Sequence, residues 1–208
     1  MRNTLALVIL ASLITMAGLG WFLTRPDGSD PFAQCRATKI GTGAASIGGP
    51  LSLFDENGKE VTDADMFTKP TLLYFGYSFC PDVCPVDNAR NAEVLDILQS
   101  DGFDAQMAFI SVDPARDDPA RLRDFTDYLH PDAIGYSGTE EQVRVAANAY
   151  KAYFKIEENP DPDFYLVDHS TLTYLVLPQT GFVEFFRRDV TPQDMANRVE
   201  CFIKAAVN

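Results

Sequence analysis

The chain has 208 residues, 46% of them hydrophobic, with 15 Phe and 8 Tyr, enough for one well-filled domain plus an appendage. Lys and Arg number 17 against 30 Asp and Glu, a net charge of −13. So acidic a surface excludes nucleic acid and anionic lipid headgroups as partners.

Leu5 to Leu23 is an uncharged run of 19 residues. As a helix it would be about 28 Å long, close to the hydrocarbon thickness of a bilayer. Trp21 and Phe22 fall where an interfacial aromatic belt would lie. A cleaved signal peptide is the rival, but its apolar core is shorter and no small-x-small site follows Leu23. Residues 1–25 are therefore expected to be a single-pass transmembrane anchor. Arg2 and the α-amino group before the run favour the N-terminus inside, with the soluble domain outside: periplasmic, on the inner membrane, if the source is bacterial. Residues 26–46, rich in Gly, Ser, Pro and Ala, read as a linker, and 47–208 as the folded domain.

Leu51 to Val61 flanks Asn57-Gly58, a two-residue hairpin signal. Thr71 to Tyr77 is aliphatic and aromatic without charge, a strand buried on both faces. It runs into Cys80 and Cys84. From Val86 the spacing turns helical, with Ala89, Ala92, Leu95 and Leu98 near one face. Both cysteines are then expected to open a helix, where unpaired N–H groups and the dipole favour thiolate, with Cys80 the more exposed nucleophile. A gap of three makes them i and i+4, close enough on a helix to share one ion. A reversible Cys80–Cys84 disulfide, an ordinary structural disulfide and two buried thiols stay open, though prolines at a strand end favour a site.

Ala105 to Val112 is a second buried strand ending in Asp113-Pro114, and Arg116 to Pro119 is a charged loop. Leu122, Phe125 and Leu129 mark a helix that stops before His130-Pro131. Ala133 to Tyr136 is a short strand. Thr139 caps the next helix with acidic residues behind it, and Val143, Ala146, Ala147, Tyr150, Tyr153 and Phe154 form its stripe. An acidic, proline-broken loop, Glu157 to Asp163, leads to Asp168-His169-Ser170, read as a loop before the strand Thr171 to Leu177. A turn at Gln179 to Gly181, a strand Phe182 to Phe186 and a helix Gln193 to Ala206 complete the chain. The alternation predicts an α/β fold, a thioredoxin-like three-layer sandwich with an N-terminal β-hairpin.

Two histidines limit the search for a third ligand. His130 sits at a helix end, where a dipole partner is the better reading. In a thioredoxin-like sheet the loop carrying His169 faces the cysteine turn. Thioredoxins place a cis-proline there, and this chain offers an imidazole. Two thiolates and one imidazole suit copper, above all Cu(I). Zinc takes the same donors, but a structural zinc site wants four and no fourth is evident. Asp82 or Asp168 would orient the ring or shift a thiol. Cys35 and Cys201 lie near the two ends of the soluble region. Cys201 is off the last helix's apolar stripe of Met195, Val199, Phe202 and Ile203, which predicts a Cys35–Cys201 disulfide in an oxidising compartment.

FGYSFCPDVCPVDNARNAEVLDIL, ISVDPARDDPARLRDF and YLVDHSTLTYLV resemble the Sco/SenC family of copper-binding assembly factors of cytochrome c oxidase, over about Ile47 to Ile203 and the anchor. The resemblance implies a thioredoxin fold and a copper site at Cys80, Cys84 and His169, with one Cu(I), or Cu(II), per chain. It implies the copper-site subunit of the oxidase as partner and a periplasmic copper donor upstream. Copper delivery is the first expected activity; the alternative is a membrane-anchored thiol-disulfide oxidoreductase that reduces the oxidase's copper-site cysteines or senses redox state. A peroxidase on this scaffold lacks its Thr-x-x-Cys signature.

Overall fold

The computed structural model describes residues 14–16, 18–21, 30–36, 47–157 and 164–207. The expected anchor lies largely outside the described residues, as do the linker on both sides of 30–36 and most of the acidic loop. No helix among the described residues is long and apolar enough to cross a membrane.

Among the described residues nine strands form, in chain order β1 (Ser52–Asp55), β2 (Glu60–Thr62), β3 (Thr71–Gly76), β4 (Gln106–Ser111), β5 (Ala133–Ser137), β6 (Phe154–Ile156), β7 (Val167–His169), β8 (Thr173–Leu177) and β9 (Gly181–Phe186). Seven make one sheet in the order β2-β1-β5-β4-β3-β8-β9, and β6 and β7 pair by themselves. The helices within residues 47–207 are α1 (Asp63–Met66), α2 (Val83–Ser100), α3 (Pro119–Leu129), α4 (Glu140–Ala149) and α5 (Pro192–Ala206).

The apolar run at β3 dictates the centre. All six of its residues are buried, because it pairs with parallel β4 on one side and antiparallel β8 on the other while helices cover both faces. Side chains alternate across the sheet. Tyr74 points to α2, where its hydroxyl reaches Asp87, and Phe75 points the other way to Tyr150 beyond α4, with ring centroids 5.8 Å apart. On the α2 face, α3 packs Phe125 against Phe109 of β4 at 4.8 Å. Helix, sheet and helix are the three layers expected of a thioredoxin-like fold.

Several local expectations are corrected. The hairpin loop is three residues, Glu56 to Gly58, with Gly58 left-handed at φ +75, rather than a two-residue turn. Thr139 does cap α4, with Glu140 and Glu141 in its first turn as expected, through a reciprocal bond with Gln142. α4 ends at Ala149 because Lys151 turns left-handed at φ +54. Tyr153 is therefore exposed and Phe154 belongs to β6. In α2 the buried face includes Asp87, Asn88 and Asn91, while Ala89 faces solvent.

Residues 30–36 turn against α5. Phe32 and Cys35 are buried, Phe32 stacks near Phe202 at 5.5 Å, and Cys35 is bonded to Cys201 with Cα atoms 5.6 Å apart. The bond joins residues 166 apart in sequence, which strongly restricts the unfolded chain. Cys35→Ser/Cys201→Ser, made in a Cys80→Ala/Cys84→Ala background so that no other disulfide forms, should lose about 3 kcal/mol in urea unfolding. Equal midpoints with and without the bond would refute this contribution.

Candidate metal centre

Parallel strands β3 and β4 end side by side, Gly76 beside Ser111, so the segments that follow them share one edge of the sheet. β8 runs antiparallel to β3, with Tyr74 opposite Thr173. The residues entering β8 therefore meet the cysteine turn. Cys80, Cys84 and His169 converge there, their donor atoms all within 4.8 Å of one another, and they are the one such group among the described residues.

The helix does not begin where the sequence suggests. α2 starts at Val83, so Cys80 lies in the turn before it and only Cys84 is in its first turn. Pro85 fits that first turn, where no N–H is needed. Asp82 stands at the N-cap position, but its side chain makes no capping bond. The Cys84 N–H instead points to Cys80 Sγ at 3.4 Å. A sulfur thus takes the capping role, and a helix N-terminus favours it as the anion. Both cysteines are buried, Cys80 at 7% and Cys84 at 0% exposure, so Cys80 is only marginally the more accessible.

Gly76 makes room for this. A Cβ there would lie 2.8 Å from Cys84 Sγ and 2.9 Å from the Tyr74 ring, so the sulfur occupies the space that a side chain would fill.

His169 is the last residue of β7, not a loop residue. Its ring lies edge-on between Tyr74 at 6.0 Å and Tyr77 at 5.7 Å. Nδ1 is 3.0 Å from the Ser170 carbonyl, which can only accept, so Nδ1 carries the proton. That leaves the Nε2 lone pair aimed at Cys84 Sγ, 3.3 Å away. His130, by contrast, caps α3, and its Nδ1 accepts from the Asp132 N–H.

The two thiols divide one charge unequally. The hydrogen bond from the Cys84 thiol holds Cys80 down to about 3. The backbone N–H groups of Asp82 and Cys84 add to this, while burial opposes it. Cys84 is pushed up by the same bond and by its burial. Near neutral pH the metal-free pair therefore holds one proton and one negative charge.

Neither expected carboxylate joins the donors. Asp82 and Asp168 are both exposed, and what Asp82 gives Cys80 is its backbone N–H. The polar residues beneath the site are others. Asp87, buried one helical turn after Cys84, accepts from the Tyr74 hydroxyl at 2.9 Å and from Arg188 Nε at 2.8 Å. Burial and the neighbouring Asp87 carboxylate push the Tyr74 hydroxyl up, so it stays a donor. Asp117 accepts from the Ser78 N–H at 3.0 Å and the Ser111 hydroxyl at 2.6 Å, pinning the cysteine turn to the end of β4. The sequence signal for Asp87 was its i+3 spacing from Cys84; Asp117 lay in a stretch read only as a charged loop.

The SCO1/SenC family model matches residues 40–204. The chain belongs to the SCO1/SenC family. Protein SenC of Rhodobacter capsulatus is 49% identical over 206 residues, covering 98% of this chain and 91% of that protein. Among solved structures, yeast Sco1 with copper bound has a TM-score of 0.73 at 37% identity, covering 76% of this chain and 89% of that one. Arabidopsis thaliana ScoI with copper bound has a TM-score of 0.71 at 37% identity, covering 76% and 99%. In this SCO1/SenC chain, two sulfurs and one unprotonated imidazole nitrogen form a potential copper site.

The charge division has a pH consequence. A thiol with a lowered pKa stays ionised until pH falls through that lowered value, so in the reduced, metal-free protein Cys80 should still be alkylated at pH 5, where an ordinary thiol is nearly inert. Cys84→Ala removes the main cause and should slow the reaction at pH 5. A wild-type rate that already collapses below pH 8 would disprove the assignment.

Proposed function

We propose that this chain carries copper as cargo, one ion per chain held by Cys80, Cys84 and His169, and delivers it to the copper-site subunit of cytochrome c oxidase. The convergence of these three donor atoms carries the reading. Family membership and the copper-bound relatives support it. Sulfur donors select Cu(I), and the same set accepts Cu(II). Three ligands leave the ion open to an incoming donor, which transfer by ligand exchange requires. Membership in the SCO1/SenC family supports a role in oxidase assembly, and delivery of the ion itself is the proposed step.

The test is anaerobic titration of the reduced chain with Cu(I) against a competing chelator. One-to-one binding should vanish in Cys80→Ala/Cys84→Ala and weaken about 10- to 100-fold in His169→Ala. Unchanged affinity in His169→Ala would remove the histidine from the site and with it this proposal.

The thiolate character of Cys80 beside Cys84 favours a second reading, reduction of a disulfide in the same oxidase subunit. Cys80 would attack, and Cys84 would resolve the mixed disulfide. Cys84→Ser should then trap a mixed disulfide with the subunit, and failure to trap one would count against this activity.

In the same reading, residues 1–25 anchor the chain in the inner membrane with the N-terminus inside, the domain lies in the periplasm, and a periplasmic donor loads it with copper. The apolar side chains of Ile14, Met16, Leu19 and Trp21, exposed on helical residues, support an anchor. An alkaline phosphatase fusion after Asn208 should be active, and an inactive fusion would reverse the orientation.

A further inference from the structure

His169 is held by a strand that is not part of the main sheet. β7 pairs with β6 alone, and a two-stranded ribbon is marginal by itself. The cysteine turn follows β3 in the main sheet. Pairing of β8 with β3 brings the His169 segment to the cysteine turn, but β7 itself lies outside the main sheet, so side-chain contacts are needed to fix the imidazole against the sulfurs.

The contacts that do so meet at one side chain on a third segment, the turn after β4. Arg116 Nη1 donates to the Tyr165 carbonyl at 3.0 Å, two residues before β7. Its Nε donates to Asp113, which is fully buried and also accepts from the Tyr165 hydroxyl at 2.6 Å. The face of the guanidinium lies 3.5 Å from the Tyr165 ring centroid and 4.8 Å from that of Phe79, the residue before Cys80. The Tyr77 ring is 5.6 Å away, and its hydroxyl accepts from the Val167 N–H. One planar group thus joins the segment leading into His169 to the turn holding Cys80. Its edge uses hydrogen bonds and its face uses aromatic rings, which an ammonium cannot do at once.

We propose that Arg116, which has no lone pair to give a metal, is the positioning residue that fixes His169 relative to Cys80 and Cys84. It acts on copper only through the imidazole. The inference rests on the copper reading above, and its test separates the two.

Arg116→Met should weaken Cu(I) binding about 10- to 100-fold, as expected for a partner that orients a ligand. It should also remove the histidine-nitrogen coupling from the electron paramagnetic resonance spectrum of the Cu(II)-loaded chain. Arg116→Lys keeps the charge but not the fork, and should behave the same way; it also serves if the Met variant does not fold. Arg121→Met is the control. Arg121 lies 4.4 Å from the same Phe79 ring, caps nothing on β7, and its loss should leave both readouts at wild-type values. In a His169→Ala background, either Arg116 substitution should cost nothing further.

Wild-type affinity with the nitrogen coupling retained in the Arg116 variants would overturn the proposal. So would an equal loss in the His169→Ala background or in Arg121→Met. If His169→Ala itself leaves copper binding intact, the copper reading falls and this inference falls with it. If His169→Ala weakens binding and the Arg116 variants do not, only the inference falls.

Discussion

The 3.3 Å approach of His169 Nε2 to Cys84 Sγ is the contact on which the site depends. It joins residues 85 apart in sequence, and three unrelated features must hold for it to form. β8 must run antiparallel to β3, so that the chain entering β8 arrives where β3 ends. Position 76 must lack a side chain, because Cys84 Sγ occupies that space. The Ser170 carbonyl must accept a hydrogen bond from Nδ1–H, so that Nε2 presents a lone pair and not a hydrogen. A buried polar contact is strong when all its requirements are met and costly when one fails.

The surroundings manage charge as well as shape. A thiolate, a buried aspartate and two guanidinium groups lie within a few side chains of one another. Cys80 keeps its negative charge through donors aimed at it from the start of α2, and Arg188 Nε donates to Asp87 beneath them. Binding of copper by Cys80, Cys84 and His169 would release the remaining thiol proton and place positive charge beside a thiolate that is already formed. In a site this dry, such preorganisation is worth more than it would be in water.

The β3 run was legible because a strand buried on both faces has no polar residue to confuse the pattern, and its end marked the site. Cys80, Cys84 and His169 were legible because so few residues in the chain offer a soft or imidazole donor. What could not be read came from contacts made across the fold. Cys80 precedes the helix because the local hydrogen bond to its sulfur replaces an ordinary cap, which spacing does not reveal. His169 belongs to a strand because Lys151 turns left-handed and sends Phe154 to Ile156 back along it. Asp82 and Asp168 were plausible from adjacency, yet a neighbour along a strand or turn points elsewhere, and Asp87 and Asp117 are among the acids that fold inward.

The bond between Cys35 and Cys201 closes the chain into a covalent ring that contains all three donors. Any single backbone cut between those two cysteines leaves one molecule and not two. The proline-broken acidic stretch before Phe164 falls inside that ring. A protease that severed it would separate His169 from the cysteines along the backbone, yet leave them joined through sulfur. The two halves would still meet at the effective concentration of one intact chain.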